Sequence, residues 1–446
     1  MFDKVVVANR GAVAARVLRT LKALGIRSVA VYSEADAGAP YLAQADETFL
    51  IGPAAARDSY LNQDALMRVL RESHADGLHP GYGFLSENAD FARNVEESGV
   101  RFIGPSARWI DALGHKTRAR ELATRHGLPV GRGSSVLSGD ANEMMQQARQ
   151  IGFPLIVKPA GGGGGIGMLV AREEHELLRA VEQARSMALR GFANAEVYLE
   201  KYLSRPRHIE FQLLGDCHGQ VRHLFERDCS TQRRHQKVIE EAGAPGVDRI
   251  RVNRLAQKIA DTFAEMGYDN IGTVEMLMGD DGEFSFLEVN TRLQVEHGVT
   301  EQITGVDLVA AQIRSAAGQA LSEILPTEIR MDGHAIEARI YAEDSKRFFP
   351  SPGLLTRFRP PVGPRIRVET GYAQGREVTA HYDPLLAKVI AHAPTRRGAI
   401  DLLLDAIRSF EVSGVKTNIA ALDLVLSSQQ FCDGNVHTGL IPELMS

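Results

Sequence analysis

The chain has 446 residues, 44% hydrophobic and 24% charged, with a net charge of −5. That composition fits a soluble globular protein of roughly two to four domains, and its mild acidity leaves no basic footprint for DNA or RNA. The three cysteines, Cys217, Cys229 and Cys432, are too few and too scattered for a disulfide framework or a zinc site, and no apolar run is long enough to cross a bilayer.

The run VVVA at 5–8 reads as a buried strand, too short for the apolar core of a signal peptide, so a cytoplasmic setting is expected. A helix follows over about 12–24, and SVAVYS (28–33), 48–51 and 101–103 are further strands. This alternation predicts a small doubly wound α/β domain over 1–113. The turn NRGAVAAR has a single glycine and lacks the three-glycine dinucleotide fingerprint. HPGYGFLSEN (79–88), with Tyr82 and Phe84, fits a binding loop and a plain strand-to-helix turn equally well.

A second unit is expected over 114–330. Its first helix (116–127) closes on Gly127 as a C-cap, and another (about 141–151) leads through Phe153-Pro154 into the strand LIVKP. The run AGGGGGIGM follows directly. Backbone without Cβ can bring several N–H groups to phosphate oxygens, and with no GKS or GKT and no helix opening at once, the loop reads as a mobile hairpin lid. Its clamping between two strand-like runs argues against a flexible linker. Lys158 and Lys116 are placed to meet phosphate as point charges. A helix at about 173–189 and the strand VYLEKYL (197–203) close the lid, and Glu200-Lys201 could border an adenine ring.

In RHIEFQLLGD, Ile209, Phe211 and Leu213 alternate with His208, Glu210 and Gln212. In ERDCSTQRRHQKVIEEA (226–242), Arg227, Arg233, Arg234, His235 and Lys237 crowd beside acids. Taken alone this is better read as a charged loop, and an anion pocket is the alternative beside a nucleotide site. Between 271 and 290, two β-rich runs flank Asp281-Gly282, the signal of a two-residue hairpin turn. That register sets Glu275 directly opposite Glu288. Like charges so placed repel unless a cation sits between them, and a hard one such as Mg²⁺ suits carboxylates. Continued alternation puts Leu287, Val289, Leu293 and Val295 on one face, and Glu288, Asn290, Arg292, Gln294 and Glu296 on the other. An ordinary solvated strand face is the competing reading. After Gly333 the text is β-rich again (HAIEARIYAED, GLLTRFRP, RIRVETG, LLAKVIAHA), ending in helices at about 396–410 and 417–429.

Taken in order, HPGYGFLSEN, KPAGGGGGIGM, ERDCSTQRRHQK, EVNTRLQVEH and HYDPLLAK closely resemble biotin carboxylase of the ATP-grasp superfamily, from Val5 to about Leu440. The resemblance implies an α/β fold with α+β character in its later parts. It comprises a doubly wound N-terminal domain (1–113), an ATP-grasp domain (114–330) with a mobile lid over about 130–203, and a β-rich, barrel-like C-terminal domain (331–446). It implies ATP held by Lys116, Lys158, Gly164, Gly165, Glu200, Lys201, Tyr202, Leu203, His208, Gln232, His235 and Leu277. Mg²⁺ or Mn²⁺ would sit on Glu275, Glu288 and Asn290, and bicarbonate on Lys237, Arg292 and Val295. Glu296 would be the base that deprotonates bicarbonate, Arg339 would stabilise the enolate-like oxygen of biotin, and Tyr82 and Gln294 would line the biotin pocket.

The implied partners are a biotin carboxyl carrier protein, carboxyltransferase subunits and a second copy of the chain, met through the Arg16/Arg19 helix and the region near Arg367. No Met-Lys-Met biotinylation site is present, so a free-standing subunit of an acetyl-CoA or other acyl-CoA carboxylase is expected. The chain departs from the family pattern at Ala12 (usually Glu), at His115 (often Asp), and at Ile166 and Leu169 (usually Arg). The lost lid cations predict weaker nucleotide affinity, poorer lid closure or another carrier preference. An ATP-grasp ligase with a non-biotin acceptor and a non-catalytic ATP-binding homologue are the alternatives.

Overall fold

The computed structural model describes residues 1–161, 167–192 and 194–445. The expectations for Gly164, Gly165 and Ile166 therefore lie outside the described residues.

The first sheet is parallel, in the order β3-β2-β1-β4-β5, from β1 (Lys4–Val7), β2 (Arg27–Ser33), β3 (Glu47–Gly52), β4 (Gly77–His79) and β5 (Arg101–Phe102). Strand alternation sorts β1 onto two cores. Val5 and Val7 pack with Val13, Val17 and Leu21 of helix α1 (Gly11–Ala23), while Val6 packs with Leu66, Val69, Phe91 and Val95 from helices Gln63–Ser73 and Ala89–Glu97. Helices on both faces make this region doubly wound, as the sequence predicts. The start of α1 abuts the C-terminal part so closely that a Cβ on Gly371 would lie 2.3 Å from Cα of Gly11. Only glycine fits there.

The lid has its own antiparallel sheet, β6-β9-β7-β8, from β6 (Gly133–Val136), β7 (Leu155–Pro159), β8 (Leu169–Ala171) and β9 (Val197–Lys201). Its core joins Val157 and Leu199 to Met144 and Val181 of the helices Ala141–Ile151 and Leu177–Phe192.

The remaining main strands form one eight-stranded sheet. It contains β10 (Arg207–Gly215), β11 (Val221–Arg233), β12 (Gln236–Ala242), β13 (Asn270–Met278), β14 (Phe284–Asn290) and β15 (His334–Tyr341). The order is β14-β13-β10-β11-β12-β15, followed by strands Leu385–Ala393 and Ile366–Thr370. It runs without a break across the expected boundary at 330/331, through the antiparallel pairing of β12 with β15.

Three local expectations are corrected. The 226–242 run is a buried hairpin of β11 and β12 and not a loop, turning on Arg234 and His235 at φ 48° and 66°. Positive φ at both central positions makes this the mirror-image turn that suits twisted strands, built here without glycine or asparagine at a local cost of about 1–3 kcal/mol per residue. The β13–β14 turn holds three residues, Asp280 to Gly282: Gly279 and Glu283 pair across it, and Gly282 takes φ 74°. That shift alone would set Glu275 against Leu287. A bulge at Leu287 restores Glu275 opposite Glu288 and turns Leu287 into the cavity. Finally, β14 ends at Asn290, so the 291–296 segment is not strand, and Glu296 sits just before the helix His297–Thr304. Val295 consequently faces the cavity while Leu293 stays in the core.

Candidate active site

The lid sheet and the eight-stranded sheet enclose a cavity of about 400 Å³. Strand alternation delivers its walls. From the lid, β7 contributes Ile156 and Lys158 and β9 contributes Glu200 and Lys201, which runs on into Tyr202 and Leu203. The large sheet supplies His208, Gln232, His235 and Lys237, with Glu275 and Leu277 from β13 and Glu288 and Asn290 from β14. Lys116 opens the helix Lys116–Arg125, and Arg292, Gln294, Val295, Glu296 and Arg339 close the far end. The cavity thus gathers every described residue of the sequence-derived set except Tyr82.

Tyr82 lines a second cavity of about 510 Å³ with Ala12, Phe84, Tyr382 and Leu385. Gln294 belongs to the first cavity and not the second, so Tyr82 and Gln294 do not line one pocket as expected. Arg292, Val295 and Arg339 border both, so the guanidinium groups stand at the passage between them.

The centre of the first cavity is a lysine among glutamates. Lys237 Nζ donates to Glu275 Oε1 at 2.8 Å and Glu296 Oε1 at 2.7 Å, and it also contacts Glu210. Glu296 Oε2 accepts from Arg339 at 3.1 Å. Burial would raise the Glu296 carboxyl, but Lys237, Arg339 and Arg227 hold it well below the usual carboxylate range. Arg292 is anchored by Glu87 Oε2 at 2.8 Å and donates to Asn290 and Gln294 at 2.9 and 2.8 Å. Lys388 donates to the Val295 carbonyl at 2.5 Å and fixes the backbone beside Glu296.

Around Glu275, Oε1 also accepts from Asn290 and Gln294, and Oε2 lies 2.9 Å from His208 Nε2. Burial alone would raise its carboxyl, but Lys237 and His208 hold it well below the usual range. Burial disfavours the His208 cation, and Glu275 outweighs that and raises it. Glu288 turns to Lys116 at 3.1 Å. Hence the group of possible ligand atoms at Glu275 includes His208 and Glu210, within 4.8 Å of one another, and not Glu288. Two carboxylates and an amide on one face of a strand pair are hard oxygen donors suited to Mg²⁺ or Mn²⁺, with Lys116 and Lys237 as the cations a bound metal would displace. Glu200 is bound by Lys158 and by Arg120 at 2.7 Å. Burial would raise its carboxyl, yet Lys158 and Arg120 lower it. His235 is held below its ordinary value by burial and by Lys158.

The departures from the family pattern fall in different places. Ala12 lines the second cavity. His115 meets Glu196 at 3.3 Å. Leu169 stands opposite Val157 and packs against the lid core, while its neighbour Met168 faces the nucleotide side. Sequence reading missed Glu210, Glu87, Glu240 and Glu337 as partners. Only Glu210 left a trace, in its alternation with His208 and Gln212.

Residues 1–110 match the biotin carboxylase N-terminal domain, residues 115–324 the ATP-binding domain of the carbamoyl-phosphate synthase L chain, and residues 337–443 the biotin carboxylase C-terminal domain. A biotin carboxylase of Halalkalibacterium halodurans is 46% identical over 441 residues, covering 99% of this chain and 97% of that protein. The mitochondrial alpha subunit of methylcrotonoyl-CoA carboxylase from Arabidopsis thaliana is also 46% identical, over 98% of this chain but 60% of its own length. The biotin carboxylase domain dimer of Hydrogenobacter thermophilus 2-oxoglutarate carboxylase, solved with MgADP, ADP and bicarbonate, superposes with a TM-score of 0.96 at 43% identity, covering 100% of this chain and 99% of that one. The chain belongs to the biotin carboxylase family of ATP-dependent ligases.

Proposed function

We propose that the chain carboxylates biotin carried on a biotin carboxyl carrier protein, using ATP and bicarbonate, and hands carboxybiotin to carboxyltransferase subunits. The observation that carries this reading is the placement of Glu296. It is buried in the first cavity and bound to Lys237 and to Arg339, and Arg339 borders both cavities. One side can hold a nucleotide and the other, beside Tyr82, a flat neutral ring.

ATP lies in the first cavity with Lys116 and Lys158 on its phosphates. Glu275, Glu288 and Asn290 would hold Mg²⁺, which when bound would supply charge neutralisation for phosphoryl transfer. Bicarbonate is held by Lys237, Arg292 and the Val295 backbone. As its oxygen attacks the γ-phosphorus and the bond to ADP breaks, Glu296 takes its proton. A carboxylate held so far below its usual range is a weak base, so Lys237 must turn towards the incoming anion for Glu296 to accept that proton. Carboxyphosphate then breaks down to CO₂ and phosphate, and phosphate removes the biotin ureido proton. Arg339, charged at any working pH, stabilises the oxygen of the resulting enolate-like biotin while its nitrogen attacks CO₂.

The same 46% identity links the chain to a biotin carboxylase and to a methylcrotonoyl-CoA carboxylase subunit, so its assignment to acetyl-CoA or another acyl-CoA carboxylase rests on the partner. A cytoplasmic homodimer completes the proposal, with Arg16, Arg19 and Arg367 on one surface bound to Glu301 and Glu369. Among the described residues no helix is long and apolar enough to cross a membrane.

Bicarbonate-dependent ATP hydrolysis, with and without free biotin, tests the assignment for the native chain and Glu296→Ala. Biotin should stimulate phosphate release and the substitution should abolish it. ATP turnover indifferent to both bicarbonate and biotin would sink the reading.

A further inference from the structure

Behind Arg339, away from the cavity, the register of β12 on β15 sets Glu240 directly opposite Glu337. Both are 0% exposed. Neither carboxylate has a hydrogen-bond partner on either oxygen among the described residues. Glu240 Oε1 lies 2.6 Å from Arg339 Nε, but off the axis of that N–H. Glu337 Oε2 is 3.7 Å from Lys388, whose amino group donates to the Val295 carbonyl at 2.5 Å and forms a closer ion pair, at 2.7 Å, with Glu369. The far wall is apolar: a Cβ on Gly298 would stand 3.5 Å from Glu337 Oε2 and 2.4 Å from Ile390 Cδ1.

We propose that Glu240 and Glu337 form a buried carboxyl dyad that stores one proton between them, and that this proton sets the charge against which Arg339 holds Glu296 and the substrate oxygen. Two adjacent carboxylates sealed from water, with no aligned donor, cannot both stay ionised cheaply. A shared proton would supply the missing donor, with one carboxyl giving its O–H to the other.

The surrounding charges agree. Glu240 is faced by Arg339, Glu337 and Tyr341 from β15, by Cys229 from β11, by Glu296 from the segment before the His297–Thr304 helix, and by Lys237 of its own strand. Glu337 is faced by Lys388 and Glu369 from the two outer strands, and by Arg339 and Glu296. Every one of those cations is shared with another carboxylate. Burial accordingly pushes Glu240 up to about 8 and Glu337 up to about 7 despite their cationic neighbours. With the proton in place, Arg339 faces one negative charge from the dyad. Without it, two carboxylates draw the guanidinium back from Glu296. Glu240 and Glu337 are thus positioning residues, acting on the reaction through Arg339.

Infrared spectra of the purified chain in D₂O, titrated from about pH 5 to about pH 9, test the stored proton directly. A protonated-carboxyl carbonyl band should fade across the 7–8 window in the native chain and be missing from Glu240→Gln and Glu337→Gln. Glu343, pushed up to about 7 by burial, carries a band of its own, so the native-minus-variant difference is the readout. No difference in either variant overturns the dyad. Its link to catalysis rests on the roles proposed for Arg339 and Glu296. There, kcat for biotin-dependent phosphate release should fall as pH rises through the same window. In Glu337→Gln, where the amide can donate to Glu240 and at most one negative charge can face Arg339, that fall should be lost while KM for ATP stays within about twofold. Superimposable profiles overturn the positioning role. Because the infrared band needs no turnover, an inactive protein that still shows it refutes the carboxylase reading and not the dyad.

Discussion

Glu275 and Glu288 face each other near one edge of the eight-stranded sheet, while Glu240 and Glu337 do so in its interior. The first pair opens on the nucleotide cavity, and its charge is met by side-chain cations: Lys237 and His208 on Glu275, Lys116 on Glu288. The second is sealed behind Arg339 with no aligned donor. Cross-strand carboxylates are costly in either setting, but the remedies differ. Where a ligand must enter, compensation comes from side chains that can let go. Where nothing enters, a proton is the smallest cation that fits.

Breaking the cavity side should have the largest effect. Lys237→Met leaves Glu210, Glu275 and Glu296 without their shared cation. Breaking such a buried pair costs about 3–5 kcal/mol, readable as a lower midpoint in urea unfolding. Next, Glu275→Gln and Glu288→Gln should each slow metal-dependent phosphate release on the order of 10²-fold and raise the Mg²⁺ concentration needed for half-maximal rate. In Glu240→Gln that Mg²⁺ concentration should not move. A metal titration of all three variants distinguishes the two pairs.

The pairs should also respond to pH with opposite sign. Glu275 is held well below its ordinary value, so its stabilising contribution is present above the unfolded value and lost as pH falls through the folded one. Glu240 and Glu337, raised from 4.5 to about 8 and about 7, keep a proton that the unfolded chain has released, so they cost stability as pH rises from about 4.5 to about 8. Glu337→Gln should therefore raise Tm by about 1–2 °C near pH 8 and by less near pH 5, as thermal scans at the two pH values would show. The smallest effect expected is at Ala12 in the second cavity. Ala12→Glu should change KM for biotin by no more than about fivefold and leave KM for ATP alone in steady-state kinetics.

The contrast also marks what a single chain of letters can disclose. The opposition of Glu275 and Glu288 was legible because a turn signal and strand alternation lie within twenty residues of each other. It survived only because a longer turn and a bulge offset one another. The Arg234-His235 turn was not legible, since neither residue advertises positive φ. Glu87 on Arg292 and Glu337 beside Glu240 are joined across 205 and some hundred positions respectively, and local pattern says nothing about such partners. The chemistry-bearing motifs reached the cavity through family resemblance, and the residues that tune them came from the sheet.

The unbroken pairing of β12 with β15 also bears on how the chain can be divided. A fragment ending near 330 would strip three strands from the sheet and leave β12 an edge, with the N–H and C=O groups that meet β15 open beside the hydrophobic Val238 and Ile239. Such an edge is a template for pairing with other chains. The nucleotide-binding half is therefore expected to precipitate when expressed alone, and fragment complementation would have to supply the missing strands during folding.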